Sequence, residues 1–281
     1  MEVILASSNN RLKHLSLPLV IQESLLPRRS GASVFHRRYG STDITLSGGV
    51  SRGKRLPLPS GVISRRLLYW AITTARYNQS PKILCDGSPK FLENLNLSAN
   101  AKRRRDLKIQ LKRLVHTSIT IEEFGRYGES FSLDLVPLFD SMDFLHDDTD
   151  QLRLFQSSIK FSDKFYNEIE RLPHQPINQD ALFSLDSPLA MDIYLWAQRR
   201  TYNLKRDTTI SWNLLYHQFK RPEETKPSFR RSFSKALDVV QSVMKTWDSS
   251  AFAVPTDAGV LLRSCPQQHE APNSKTVRSY W

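Results

Sequence analysis

The chain has 281 residues, of which 40% are hydrophobic and 10% aromatic, and this apolar content excludes an intrinsically disordered chain. The 40 Lys and Arg residues exceed the 28 Asp and Glu residues, so the formal net charge is +12 and favours negatively charged partners such as nucleic acid or anionic lipid. The longest apolar runs are too short to span a bilayer, and the N-terminus lacks the apolar core of a signal peptide. We therefore expect a soluble protein of one large domain or two ordinary ones.

The first 55 residues carry nine basic residues against three acidic ones and contain no long periodic apolar pattern. Serine and glycine are common in this segment. We expect a mostly flexible, basic N-terminal arm over residues 1–55 with one short strand, Asp43–Ser47. The polar segment 266–281 predicts a disordered tail.

Two segments between these ends repeat one order of predicted elements. Arg66–Tyr77 and Asp192–Tyr202 each predict a buried helix with Trp-Ala at its middle. A short helix follows in each copy and opens with Ser88 or Ser211, because a serine hydroxyl can accept a hydrogen bond from a first-turn amide. A long basic helix and a two-strand pattern come next, SITIEEF-GRYG-ESFSLDLV in the first copy and SAFAV-PTDAG-VLLR in the second.

This repeated order predicts an internal duplication. Trp70 precedes Arg103 by 33 residues, and Trp196 precedes Arg230 by 34. Three helices followed by a β-hairpin describe a winged helix, a variant of the helix-turn-helix. We therefore predict an α+β, mainly helical fold of two tandem winged-helix domains. Domain 1 would span residues 56–145 and domain 2 residues 146–265.

The two long helices are the predicted recognition helices. In the first, Leu107, Leu111, Leu114 and Val115 share one apolar stripe, and most of the cations fall on the opposite side. In the second, predicted over Ser228–Trp247, a continuous apolar stripe lies opposite a cluster of cations near the N-terminal end.

Arginine can pair with guanine through two hydrogen bonds, whereas lysine fits single phosphate contacts. We therefore predict that Arg104, Arg105, Arg230 and Arg231 read bases. The tip of the first hairpin adds one more candidate contact. The full predicted DNA-binding set is Lys102, Arg103, Arg104, Arg105, Lys108, Lys112, Arg113, Arg126, Lys226, Arg230, Arg231, Ser234 and Lys235.

Three other motifs are interpreted without catalysis or cofactors. Gly48–Lys54 spells G-x-x-x-x-G-K, but Arg55 replaces the Ser or Thr that would hold magnesium, and the following Leu-Pro-Leu-Pro run cannot open a helix. The acidic run Asp140–Asp150 is interpreted as a solvated linker. The histidines are isolated, and neither cysteine has a CxxC partner, so we expect no metal site, no cofactor and no catalytic residues.

Several of these segments resemble the RepA-type plasmid replication initiators. The resemblance begins at LPSGVISRRLLYWAITTA, continues through DGSPKFLENLNL, KRLVHTSIT and SPLAMDIYLWAQRRTYNLKRDTTISWNLLYHQF, and ends at FRRSFSKAL and VLLRSCP. It covers roughly residues 55–266 through many weak positions in the right order.

The resemblance implies a cytoplasmic bacterial protein, not an enzyme, that binds double-stranded origin DNA at short direct repeats called iterons. It also implies melting of adjacent DNA, recruitment of the host initiator and replicative helicase, and a switch between a monomer that binds the origin and a homodimer that represses its own promoter. A transcriptional regulator built on the same two winged helices is the alternative. An enzyme acting on DNA is a further alternative, and it would show metal-dependent cleavage or synthesis. A general polyanion binder is another, and it would bind without sequence preference and with a steep salt dependence.

Overall fold

The computed structural model describes nine ranges of the chain: residues 12–22, 26–39, 42–85, 88–124, 130–143, 157–202, 204–221, 224–247 and 252–264. The chain divides into two compact units, Met1–Pro188 and Leu189–Trp281. The predicted division between residues 145 and 146 therefore falls inside the first unit. The predicted disordered tail 266–281 and the hairpin-tip residue Arg126 lie outside the described residues.

The first unit combines strands and helices, which we number in chain order. Its described strands are β1 (His14–Pro18), β2 (Val34–Tyr39), β3 (Thr42–Gly48), β4 (Val50–Ser51), β5 (Lys54–Arg55), β6 (Lys82–Cys85), β7 (Thr117–Phe124), β8 (Ser130–Pro137), β9 (Phe139–Asp143), β10 (Ser157–Phe161) and β11 (His174–Asn178). Its described helices are α1 (Gly61–Tyr77), α2 (Pro89–Asn94), α3 (Ala101–Val115), α4 (Asp163–Arg171) and α5 (Gln179–Ser184).

The second unit is smaller and has a simple element order. It consists of α6 (Pro188–Thr201), β12 (Thr208–Ser211), α7 (Trp212–Phe219), α8 (Lys226–Trp247), β13 (Phe252–Pro255) and β14 (Gly259–Arg263). The strands form one antiparallel sheet in the order β12-β14-β13. The predicted second hairpin is confirmed as β13–β14, and the predicted long helix starts two residues earlier than expected.

The N-terminal segment is folded where the structure describes it, contrary to the mostly flexible arm predicted for residues 1–55. Strand β3 contains the predicted short strand Asp43–Ser47 and lies between β2 and β7 in a sheet of order β2-β3-β7-β8. Alternate residues of β3 are buried, among them Ile44 and Leu46. Strand β1 pairs with β11. The pairings β3–β7 and β1–β11 each join distant parts of the sequence, so the local basic composition did not indicate them.

The first predicted hairpin forms as β7–β8, but it pairs with β3 rather than with the strand that follows α1. That strand, β6, belongs to a three-stranded sheet of order β6-β10-β9, which has the same connectivity as β12-β14-β13. In this sheet β9–β10 has the place that β13–β14 has in the other, and β7–β8 precedes it in the chain. Residues 144–156 separate β9 from β10, so no tight-turn signal marked this pair in the sequence.

The fold class is a mixed α and β structure with several small sheets, and the prediction of a mainly helical protein was too strong. The excess strand content comes from the N-terminal segment and the inserted hairpin. Asp140–Asp143, predicted to be part of a linker, lies within β9. In the described ranges, no helix has both the length and the apolar character needed to cross a membrane.

Helix α1 is the centre of the first unit, because every residue from Ile63 to Ala75 is buried. The predicted core position of Trp70 is confirmed, and its ring meets the edge of Phe91 with centroids 4.9 Å apart. Two arginines of α1 are also buried: Arg65 is 0% exposed and Arg66 is 2% exposed. Their guanidinium groups must be paired inside the protein, since an unpaired buried charge costs several kcal/mol.

The Arg66 guanidinium donates hydrogen bonds to the carbonyl oxygens of Asn96 (2.8 Å) and Leu185 (3.2 Å) and to Oδ1 of Asp186 (3.0 Å). Burial lowers the pKa of Arg66, Asp186 partly offsets this effect, and the nearby charge of Arg103 lowers the pKa further. One side chain thus joins the segment after α2 to the segment after α5.

We predict that Arg66→Met destabilises the first unit by about 2–4 kcal/mol, because the buried carbonyl oxygen of Leu185 and the part-buried one of Asn96 lose their donor. Asp186→Asn is the matched control. The Asp186 side chain is 92% exposed, so we expect this change to cost less than about 1 kcal/mol. Native-state hydrogen exchange of the α1 amides measures both effects. Equal losses in the two variants would contradict a dominant role for the carbonyl contacts.

Candidate nucleic-acid interface

Helix α3 begins at a side-chain cap and buries one stripe. The side chain of Asn100 accepts a hydrogen bond from the backbone N–H of Arg103 at 2.8 Å. Leu107, Leu111 and Leu114 are buried, as predicted from their spacing. Gln110 also fixes the helix, since its Oε1 accepts from the backbone N–H of Ser60 before α1 at 3.0 Å. The orientation of α3 is therefore set by its apolar stripe and by α1.

The predicted cations of α3 divide into two groups. Lys102, Arg105, Lys108 and Lys112 lie on the side away from the leucine stripe, and all but the half-buried Lys108 are exposed. Arg103 lies instead along a cleft of about 700 Å³ that is also lined by Arg66. Arg104 is half-buried. The structure thus brings only part of the predicted set together on one outward surface.

Arg113 makes a hydrogen bond within the protein. Its guanidinium donates to Oγ of Ser30 at 2.8 Å, and burial lowers the pKa of Arg113. This contact was not predicted, because Ser30 lies in the segment expected to be flexible. Arg126 cannot be placed on this surface, since it lies outside the described residues.

Helix α8 presents its cations at its N-terminal half. Phe229, Phe233, Leu237 and Val240 are buried in the core of the second unit, whereas the predicted stripe residue Trp247 is 49% exposed. The basic side chains project on the other side. Those that are exposed are Lys226, Arg230, Arg231 and Lys235, while Ser234 is half-buried.

Both helices place positive charge where a helix disfavours it. The first turns of α3 and α8 contain no acidic residue. The N-terminal end of a helix carries a partial positive charge, so each cation there costs roughly 0.3–1 kcal/mol of helix stability. The partial positive charge of the helix N-terminus and the added cations both attract phosphate. Both helices are therefore better suited to meet an anion than to maximise their own stability.

Glu224, two residues before α8, links α7 to α8, and its side chain is only 2% exposed. Its carboxylate accepts hydrogen bonds from the backbone N–H of Arg221 (3.0 Å), the Arg221 guanidinium (2.8 Å) and the Ser232 hydroxyl (3.2 Å). The Tyr216 hydroxyl donates to the Glu224 carbonyl oxygen at 2.6 Å. These contacts set the angle at which α8 leaves α7.

Aromatic rings lie under the cations of the second unit. The Arg230 guanidinium is 5.1 Å from the centre of the Trp212 ring, and the Lys226 ammonium is 5.8 Å from the Tyr216 ring. Neither ring was predicted to lie beside a cation. The predicted N-cap Ser211 was the available signal: its Oγ accepts from the N–H of Leu214 at 3.3 Å, which places Trp212 at the first helical position.

One protein family matches part of the chain. Residues 96–214 match the family described as plasmid encoded RepA protein. The predicted resemblance to RepA-type initiators is thus confirmed over a range that includes α3 and ends within α7, before α8. This match supports a role connected with plasmid replication. No curated protein matches the chain at a significant level.

Two solved structures share the fold. A selenomethionine crystal structure of domains 2 and 3 of RctB has a TM-score of 0.55 and 11% sequence identity, covering 88% of this chain and 96% of that chain. A second crystal structure of RctB domains 2–3 has a TM-score of 0.53 and 12% identity, covering 89% and 98%. At such low identity the similarity concerns the fold alone.

The loop contacts predict a pH-dependent stability. Burial acts to raise the pKa of Glu224, but its hydrogen bonds to Arg221 and Ser232 outweigh this effect, so the pKa is lowered from 4.5. A lowered carboxyl pKa stabilises the fold above the unfolded-state pKa, and this contribution disappears as the pH falls through the folded-state value. Glu224→Gln should therefore cost about 1–3 kcal/mol at neutral pH and progressively less below about pH 4.

Thermal unfolding of both proteins between pH 3 and pH 7 measures this difference. Asp238→Asn on the exposed side of α8 is the control and should change little. A difference between wild type and Glu224→Gln that stays constant over the whole pH range would contradict the role given to the Glu224 carboxylate.

Proposed function

We propose that the chain is a sequence-specific, double-stranded DNA-binding replication initiator that acts without covalent chemistry. The observation that carries the proposal is the N-terminal half of α8, where Lys226, Arg230, Arg231 and Lys235 are exposed together on a helix whose opposite side is fixed in a core. Helix α3 supplies a second surface of the same kind in the other unit.

The element order supports a winged-helix interpretation of both units. In the second unit, α7 and α8 correspond to the helix pair of a helix-turn-helix, and β13–β14 corresponds to the wing. In the first unit, α2, α3 and the pair β9–β10 occupy the same places, with β7–β8 inserted. This assignment gives α3 and α8 the position of recognition helices in the major groove.

The arginines and lysines of the two helices have different roles in this proposal. Arg105 and Arg230 can each donate two hydrogen bonds to one guanine, which carries sequence information. Lys112 and Lys235 suit phosphate contacts, which fix position and add salt-dependent affinity without sequence preference. Two reading helices on one chain fit a site that consists of repeated short sequences, because occupying one repeat raises the effective concentration at the next.

The resemblance to RepA-type initiators extends the proposal to the origin itself. The chain would bind iterons, favour melting of adjacent DNA through binding energy and DNA deformation, and recruit the host initiator and the replicative helicase. A homodimer would repress the chain's own promoter. These steps need DNA and protein partners but no metal and no nucleotide cofactor.

DNA binding is tested with a duplex selected from a random library and with a scrambled duplex of equal length, over a range of salt. Arg230→Ala and Arg105→Ala should each cost about 1–3 kcal/mol on the selected duplex only. Lys235→Ala should weaken both duplexes alike and reduce the salt slope by about one. Lys245→Ala, at the far end of α8, is the matched control. Equal binding of both duplexes by the wild type would refute sequence-specific recognition.

The initiator role is tested in cells. The chain is supplied in trans to a plasmid that lacks its own origin and carries DNA containing the selected site. We expect replication with the wild type and none with Arg230→Ala. Repression of a promoter that bears the site, without any replication, would instead indicate the alternative, a winged-helix transcriptional regulator.

A further inference from the structure

The indole of Trp212 is held by the turn between β13 and β14. Its Nε1–H donates to the carbonyl oxygen of Thr256 at 2.9 Å, and its backbone N–H donates to the carbonyl oxygen of Ala258 at 3.3 Å. The Trp212 ring packs nearly perpendicular to the buried Phe233 ring, with centroids 5.9 Å apart and planes at 88°. The position of Trp212 is therefore fixed from the core and from the turn.

The turn itself is closed by its own hydrogen bonds. The Thr256 N–H donates to the Gly259 carbonyl oxygen at 2.8 Å, and the Gly259 N–H donates to Oγ1 of Thr256 at 3.2 Å. A side chain at Gly259 would collide with the backbone of Ile210 in β12, so this position requires glycine. A turn built in this way can hold a neighbouring side chain in place.

Arg230 lies against both parts of this arrangement. Its guanidinium carbon lies over the Trp212 ring, 5.1 Å from the ring centre, and its Nη2 is 3.4 Å from Oδ1 of Asp257, which is fully exposed in the turn. An exposed ion pair of this length contributes little to stability. A carboxylate on a surface proposed to meet DNA also repels phosphate, so Asp257 weakens general affinity. Both facts favour a role in orienting Arg230.

We infer that Trp212 and Asp257 are positioning residues that orient the Arg230 guanidinium for two hydrogen bonds to a guanine. The ring limits the orientations that the guanidinium plane can take. The carboxylate accepts a hydrogen bond from one guanidinium N–H, and the other N–H groups remain for the base. An arginine ordered before binding loses less side-chain entropy when it pairs with a base. The inference rests on the proposed DNA-binding function. It specifies that α8 contacts a guanine and that Trp212 and Asp257 make this contact selective.

The test uses the full chain and the selected duplex, with each base pair of that duplex replaced in turn. At one position the wild type should prefer guanine, and Arg230→Ala should lose this preference. Trp212→Leu and Asp257→Ala should each reduce the same preference about ten-fold while leaving the salt slope unchanged. The double variant Trp212→Leu with Arg230→Ala should lose no more than Arg230→Ala alone, because Trp212 acts through Arg230. Leu214→Ala, an exposed leucine on α7, is the control.

Three results would overturn the inference: a guanine preference that survives in both Trp212→Leu and Asp257→Ala, a uniform loss of affinity for every duplex, or losses that multiply in the double variant. Asp257→Ala keeps the test decisive if Trp212→Leu unfolds, because Asp257 is on an exposed turn. A wild type without any base preference would instead refute the proposed function, and the inference would fall with it.

Discussion

The first unit depends on two charged side chains that are buried at the centre of the fold, in α1. Arg65 and Arg66 of α1 are buried, and their guanidinium groups donate to backbone carbonyl oxygens from other segments. Arg65 donates to Leu26 at 2.7 Å and to Pro27 at 3.2 Å, while Arg66 serves Asn96 and the segment after α5. A buried carbonyl without a donor is costly, so each arginine fixes chain segments that no regular pairing would hold. The entry into α3 is one of them, because Asn96 precedes the Asn100 cap by four residues.

The same residue type has the opposite role on the candidate interface. There, cations remain exposed at the N-terminal ends of α3 and α8, where they oppose the helix dipole and are not required by packing. The two roles are connected. A reading arginine is useful only when its backbone is held rigidly, and the leucine stripe of α3, the phenylalanines of α8 and the buried Glu224 provide that rigidity.

Local features of this structure could be predicted from the sequence, and long-range ones could not. The helices around Trp70 and Trp196, the caps at Ser88 and Ser211 and the hairpin β13–β14 follow from periodicity, capping chemistry and turn residues within a few positions. The pairing of β3 with β7, or of β1 with β11, joins residues far apart in the chain, and no local signal specifies it. The candidate site also combines local features that could be predicted and long-range contacts that could not. The basic helix faces were predictable, whereas the burial of Arg66 and the ring beneath Arg230 depend on tertiary contacts.

The central claim is that α3 and α8 are two separate reading surfaces on one chain. Hydroxyl-radical footprinting of the full chain on its selected duplex tests it most directly. The account predicts two separate protected segments in fixed register, one of which disappears in Arg105→Ala and the other in Arg230→Ala. Uniform protection without a fixed register, unchanged by either substitution, would contradict it and leave only a basic surface that binds any polyanion.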